Sequence, residues 1–86
     1  MISVVIPALN EELTVGDEVR VVRGALVSAG ETVEVIVVDG GSTDATARQA
    51  EVAGATVIRA PRVGKGRAVR EGMRAARGET LILMDS

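Results

Sequence analysis

Two rhythms of apolar residues alternate along the chain: short β-branched runs, and stretches where apolar positions recur every three or four residues. Residues 2–6, Ile-Ser-Val-Val-Ile, form the first run and end at Pro7, as suits a central strand covered on both faces. Thr14 stands three residues before Asp17, a capping-box-like helix start. Val15, Val19, Val22 and Leu26 then repeat at helical spacing, and Gly30 supplies a stop. Residues 33–38 are a second strand, rich in Val and Ile. Gly40-Gly41-Ser42-Thr43 is a turn with hydroxyl groups suited to capping a short helix over 44–53, closed by Gly54. Residues 56–59 form a third strand, stopped at Pro61. Gly64-Lys65-Gly66 opens a third helix with Ala68, Val69, Gly72, Met73 and Ala76 on its inner face and Gly78 as terminator. Residues 80–84 are a fourth strand, running into Asp85.

Four strands joined by three helices, with no hairpin signal, predict an α/β fold: a Rossmann-like parallel four-stranded sheet in β-α-β-α-β-α-β order with right-handed crossovers. Neither linker nor repeat divides the chain, so residues 1–86 read as one domain. In sheets of this kind ligands collect outside the carboxyl ends of the strands.

Composition narrows the chemistry. The chain is 47% hydrophobic and 26% charged, as expected of a globular domain. Histidine and cysteine are absent, which removes the usual neutral-pH base, disulfides and a zinc site. There is no aromatic residue, so the core must be built from Val, Ile, Leu, Met and Ala. A net charge of −2, the lack of a basic stripe and the lack of rings for base stacking speak against nucleic acid as a partner. No apolar run reaches the ~20 residues of a membrane span, and no leader precedes the first strand.

The residues after each strand carry the polar chemistry. They are Pro7-Ala8-Leu9-Asn10-Glu11-Glu12, Asp39-Gly40-Gly41-Ser42-Thr43-Asp44, Arg62-Val63-Gly64-Lys65-Gly66, and Asp85-Ser86. Four loops on one sheet edge favour a site over four unrelated turns. Asp39 suits acceptance of hydrogen bonds from a base imide or ribose hydroxyls, or, equally, capping of the next helix. Gly40 and Gly41 permit close backbone approach or positive φ. Lys65, between glycines at a helix start, suits a diphosphate cradle, or is simply an exposed lysine. Asp85 is placed to hold a hard divalent cation, although one carboxylate alone does not define a metal site. A dinucleotide-binding reading fails because the first strand-to-helix turn lacks G-x-G-x-x-G. A P-loop fails because Lys65 lacks the four-residue gap and the following Ser or Thr.

Taken together these segments resemble family 2 glycosyltransferases of the GT-A fold. Residues 3–12 are similar to the family's opening motif. Residues 37–46 resemble its V-D-D/G-G-S-T-D-x-T signature, and Gly64-Lys65-Gly66 with the following helix resembles its G-K-G/A-x-A segment. Leu83-Met84-Asp85-Ser86 looks like the start of its D-x-D motif. The resemblance covers the whole chain in order, and the segments are especially similar to those of polyprenyl-phosphate glycosyltransferases and glucosyl- or mannosyl-3-phosphoglycerate synthases. It implies the nucleotide-sugar-binding half of a GT-A domain, cut at D-x-D, taking a UDP- or GDP-sugar with Mg²⁺ or Mn²⁺. Pro7, Ala8 and Leu9 would line the base pocket, Glu11 would hold the ribose, and Asp39 would contact the base beside Gly40. Lys65 would reach the base or diphosphate, and Asp85 would bind the ribose or the metal–diphosphate unit. It also implies a cytoplasmic protein, with some parents at the inner face of the membrane, and no sugar transfer by these residues alone. An uncovered sheet edge points to a homodimer. The competing reading is a designed or truncated α/β folding module without a ligand.

Overall fold

A computed structural model describes residues 1–85; Ser86, the second position of the D-x-D-like segment, lies outside the described residues. The elements are β1 (Ile2–Ala8), α1 (Val15–Ser28), β2 (Val33–Asp39), α2 (Thr46–Val52), β3 (Thr56–Arg59), α3 (Gly64–Ala75) and β4 (Thr80–Leu83). All four strands run parallel in the order β3-β2-β1-β4. The expected Rossmann-like α/β architecture is therefore present, with every strand and helix in place.

The two inner strands alternate their side chains between two cores, as the two-residue period of a strand requires. Val4 and Ile6 of β1 and Val35 and Val37 of β2 pack with Val15, Val19 and Ala50 beneath α1 and α2. Val5, Ile36 and Val38 face the other way, toward Ala68 of α3. Aliphatic side chains alone fill both layers. The close approach of α3 depends on Gly72, where an added Cβ would stand 2.4 Å from Val5 Cγ1. The chain steps outward from β1 to β2 to β3, then crosses back so that β4 lies on the far side of β1. Such a reversal is where doubly wound sheets open a crevice above their strand ends.

Local expectations fail in four places. β1 runs through Pro7 to Ala8, because Pro7 opposite Val38 loses only its own N–H from the ladder while Gly40 N still donates to the Ala8 carbonyl at 2.9 Å. Thr14 makes no side-chain cap; Asp17 bonds the Arg20 guanidinium at 2.7 Å, and the Glu11 carbonyl accepts from Thr14 N and Val15 N. α2 starts at Thr46, two residues late, because the Asp44 carboxylate accepts the Thr46 N–H at 2.9 Å and holds residues 44 and 45 as its lead-in. Met73 is 44% exposed, since each helical residue turns about 100° and Gly72 already holds the centre of the inner face. The whole-chain charge balance also hid a basic surface. Seven of the ten basic residues fall between 59 and 77, where Glu71 is the one acid. Arg67, Arg70 and Arg74 line up at helical spacing on the exposed side of α3.

Candidate functional site

The loops following β1 and β2 are stitched into one unit by side chain–backbone hydrogen bonds. Asn10 N donates to Ser42 Oγ (2.9 Å), Glu11 N to Thr46 Oγ1 (2.8 Å), and Thr43 N returns a bond to Asn10 Oδ1 (2.9 Å). Glu12 and Asp44 exchange similar bonds: Glu12 N to Asp44 Oδ2 (3.2 Å) and Ala45 N to Glu12 Oε2 (3.1 Å). The Thr46 hydroxyl bonds Asp44, and this bond foremost holds the Asp44 carboxyl below its ordinary range. These polar residues therefore shape the rim from below. The sequence showed them only as loop residues, because their partners lie more than thirty positions away.

Between this rim and the start of α3 lies a cleft of about 450 Å³. Its walls include six of the eight residues singled out from the sequence: Pro7, Ala8, Leu9, Glu11, Gly40 and Lys65. Val38, Arg62, Gly64 and Ala68 complete the lining. Of these, Val38 and Ala68 are strand and helix interior positions, which carry no loop signal. Arg62 stood in a loop already recognised as polar but was not picked out.

Asp39 and Asp85 do not line the cleft. Asp39 is fully buried, and its Oδ1 accepts from Ser42 N (2.9 Å) and Gly41 N (3.2 Å), so it braces the turn after β2 and does not cap α2, which starts only at Thr46. Its Oδ2 is buried without a hydrogen bond, the Arg59 guanidinium standing 3.6 Å away. Asp85 is exposed and is joined to the cleft through an ion pair with the Lys65 ammonium. Among the described residues no group of three or more His, Cys, Asp or Glu converges on a point. On α1, burial first and the Glu11 charge second push the Glu18 carboxyl above its ordinary range, and its Oε2 is buried without a hydrogen bond.

A parallel α/β sheet with a cleft over its carboxyl ends, walled by apolar residues and edged by a lysine, an arginine and a glutamate, defines a ligand-binding domain of the doubly wound class. Comparison with known sequences makes the assignment narrower. The profile described as glycosyl transferase family 2 matches residues 3–86, and the chain belongs to that family. It is 40% identical to a glucosyl-3-phosphoglycerate synthase of Mycolicibacterium smegmatis over 93 residues, covering 99% of this chain and 30% of that protein. The Mycobacterium tuberculosis glucosyl-3-phosphoglycerate synthase, solved with Mn²⁺, UDP-glucose and phosphoglyceric acid, superposes with a TM-score of 0.82 at 37% identity. The match covers all of this chain and 33% of that one. The mannosyl-3-phosphoglycerate synthase of Rubrobacter xylanophilus gives a TM-score of 0.88 at 28% identity, over 99% of this chain and 30% of its own. The sheet is thus a GT-A-type sheet, and the chain spans about a third of the length of these relatives. No helix among the described residues is long and apolar enough to cross a membrane.

Proposed function

We propose that residues 1–86 are the donor-binding half-domain of a glycosyltransferase, holding the nucleoside diphosphate of a sugar nucleotide. The observation that carries this reading is the convergence of Pro7, Ala8, Leu9, Glu11, Gly40 and Lys65, from three separate stretches of the chain, on one cleft. In this reading the Pro7–Ala8–Leu9 wall receives the base, with Gly40 allowing close backbone approach. Glu11 takes the ribose hydroxyls, and Asp39 supports the base side from beneath. Lys65 turns from Asp85 to the diphosphate once a ligand arrives. A UDP-sugar ranks before a GDP-sugar, because the M. tuberculosis relative binds UDP-glucose. Transfer of glucose to a phosphoglycerate acceptor by the longer enzyme is the corresponding reading of the whole reaction, and a cytoplasmic location belongs to it.

Mg²⁺ or Mn²⁺ fits this arrangement in one way. Asp85 offers a single exposed carboxylate, so the ion would take its other ligands from the donor's phosphates, as Mg²⁺ commonly does. Bound there, it would neutralise charge on the leaving diphosphate. Lys65 and Asp85 would then face the phosphates separately.

Titration of the chain with UDP, UDP-glucose and GDP-mannose, with and without Mn²⁺, tests the proposal through backbone amide NMR shifts. Shifts grouped at 8–11, 39–42 and 65 are expected, with UDP ligands tighter than GDP-mannose. An unchanged spectrum at millimolar ligand would replace this reading with that of a folding module.

A further inference from the structure

We propose that Arg62 binds the diphosphate of the nucleotide donor, and that a strained backbone at this residue serves to aim its guanidinium into the cleft. The proposal rests on the donor-cleft reading and extends it to a residue outside the sequence motifs.

Arg62 is one of two non-glycine residues with positive φ among the described residues, at 62°. The other, Asn10 at 51°, is of a type that tolerates the left-handed region, and its side-chain carbonyl accepts from Thr43 N. Arg62 has neither excuse. An unbranched, long side chain gains nothing in the left-handed region, and glycine would make the same turn without strain. Gly64, two residues on, does so at φ 74°. Among the described residues Arg62 makes no ion pair or hydrogen bond that would repay the conformation, yet it lines the cleft. Strain that nothing local explains, at the edge of a ligand cleft, points to the ligand.

The electrostatics select which part of the ligand. Two basic residues line the cleft, Arg62 and Lys65, against one acid, Glu11. The Lys65 ammonium is engaged by Asp85, and neighbouring Arg59 stands by the buried Asp39. Of the two cations that line the cleft, Arg62 is therefore the uncommitted one, and it stands beside the first turn of α3, where the backbone N–H groups also favour an anion. A guanidinium presents a fork of donors that matches phosphate oxygens two at a time. The competing use is stacking: with no aromatic ring in the chain, a planar guanidinium is a natural surface for a base. The charge of a diphosphate favours the first use.

The backbone supplies an unusually clean test. Arg62→Gly removes the side chain and relieves the strain together, so the variant is expected to be at least as stable as wild type in urea. UDP affinity, measured by calorimetry or NMR titration with Mn²⁺, is expected to fall on the order of tenfold or more, the scale of a lost charge-assisted hydrogen bond. Uridine, which lacks phosphate, is expected to bind both proteins equally, and Arg62→Lys to retain part of the UDP affinity. Equal losses for UDP and uridine would overturn the diphosphate assignment in favour of stacking. Undiminished UDP binding by Arg62→Gly would remove Arg62 from the site while leaving the donor-cleft reading intact. Failure of wild type to bind either UDP or GDP would remove both.

Discussion

At Asp39 one side chain serves the fold with one oxygen and keeps the other in reserve. Oδ1 fixes the Gly41–Ser42 turn, and Oδ2 remains buried without a hydrogen bond. The sequence left capping and ligand binding open as rival roles. It could not choose because both need the same residue at the same strand end. Substitution separates them. Asp39→Ala orphans two turn N–H groups and is expected to lower unfolding free energy by about 1–3 kcal/mol. Asp39→Asn keeps an acceptor for the turn but loses the charge; it is expected to stay folded while weakening UDP binding by about 1–3 kcal/mol. Equal UDP affinity in the two proteins would confine Asp39 to the turn. Lys65 and Glu11 were legible because each falls inside a segment that resembles a family motif; on residue chemistry alone a glycine-flanked lysine is as readily an exposed one. Arg62 was not, because positive φ at an arginine has no signature in sequence.

Element placement depends on a polar clamp at the end of the sheet opposite the cleft. The buried Ser3 hydroxyl donates to Glu34 Oε2 (2.5 Å) and accepts from Gly78 N (2.8 Å). Arg77 N donates to the same Glu34 oxygen at 2.6 Å, and the Arg77 guanidinium lies 3.5 Å from Oε1. The clamp thereby ties β1, β2 and the α3–β4 connection together, fixing where β4 starts and hence where Asp85 ends up. No side chain is tolerated at Gly78, where a Cβ would meet the Met1 carbonyl oxygen at 2.5 Å. The Ser3 hydroxyl foremost, opposed by burial and aided by Arg77, holds the Glu34 carboxyl below its ordinary value of 4.5. A depressed folded pKa contributes stability that is complete above the unfolded value and lost as pH falls through the folded one. The stability gap between wild type and Glu34→Gln in urea is therefore expected to be full at neutral pH and to shrink below about pH 4.5. A gap independent of pH would show that the carboxylate charge is not what holds the clamp. None of this was visible in the sequence, where Ser3 read as one polar residue in an apolar strand. The start of α2 was misplaced for a related reason: Ser42 and Thr43 have the right chemistry for caps, but their hydroxyls are engaged by Asn10 of the neighbouring loop.

For the whole molecule, charge and apolar surface are unevenly spread. The arginine stripe lies on the outer side of α3, while β4, paired only with β1, leaves Leu81 and Leu83 40% and 54% exposed. Their partners in register, Ser3 and Val5, place both leucines on the α3 face, beside a helix that packs over β1 and β2. An unpaired strand edge with apolar neighbours invites pairing with a second chain. Sedimentation across a concentration series is expected to show reversible self-association, reduced by Leu83→Lys, which sets a charge on the edge strand. A constant monomer mass at all concentrations would set the dimer aside. The sequence by itself determined the α/β order, the count of strands and helices and the collection of polar loops at one edge, because two- and 3.6-residue periods and glycine stops are local properties. Only the tertiary structure decided that β4 returns beside β1, that Asp39 lies beneath the cleft rather than in its wall, and that Arg62 joins Lys65 at its mouth. Those outcomes depend on contacts between residues far apart in the chain, where packing and hydrogen-bond geometry, not local pattern, set the lowest free energy.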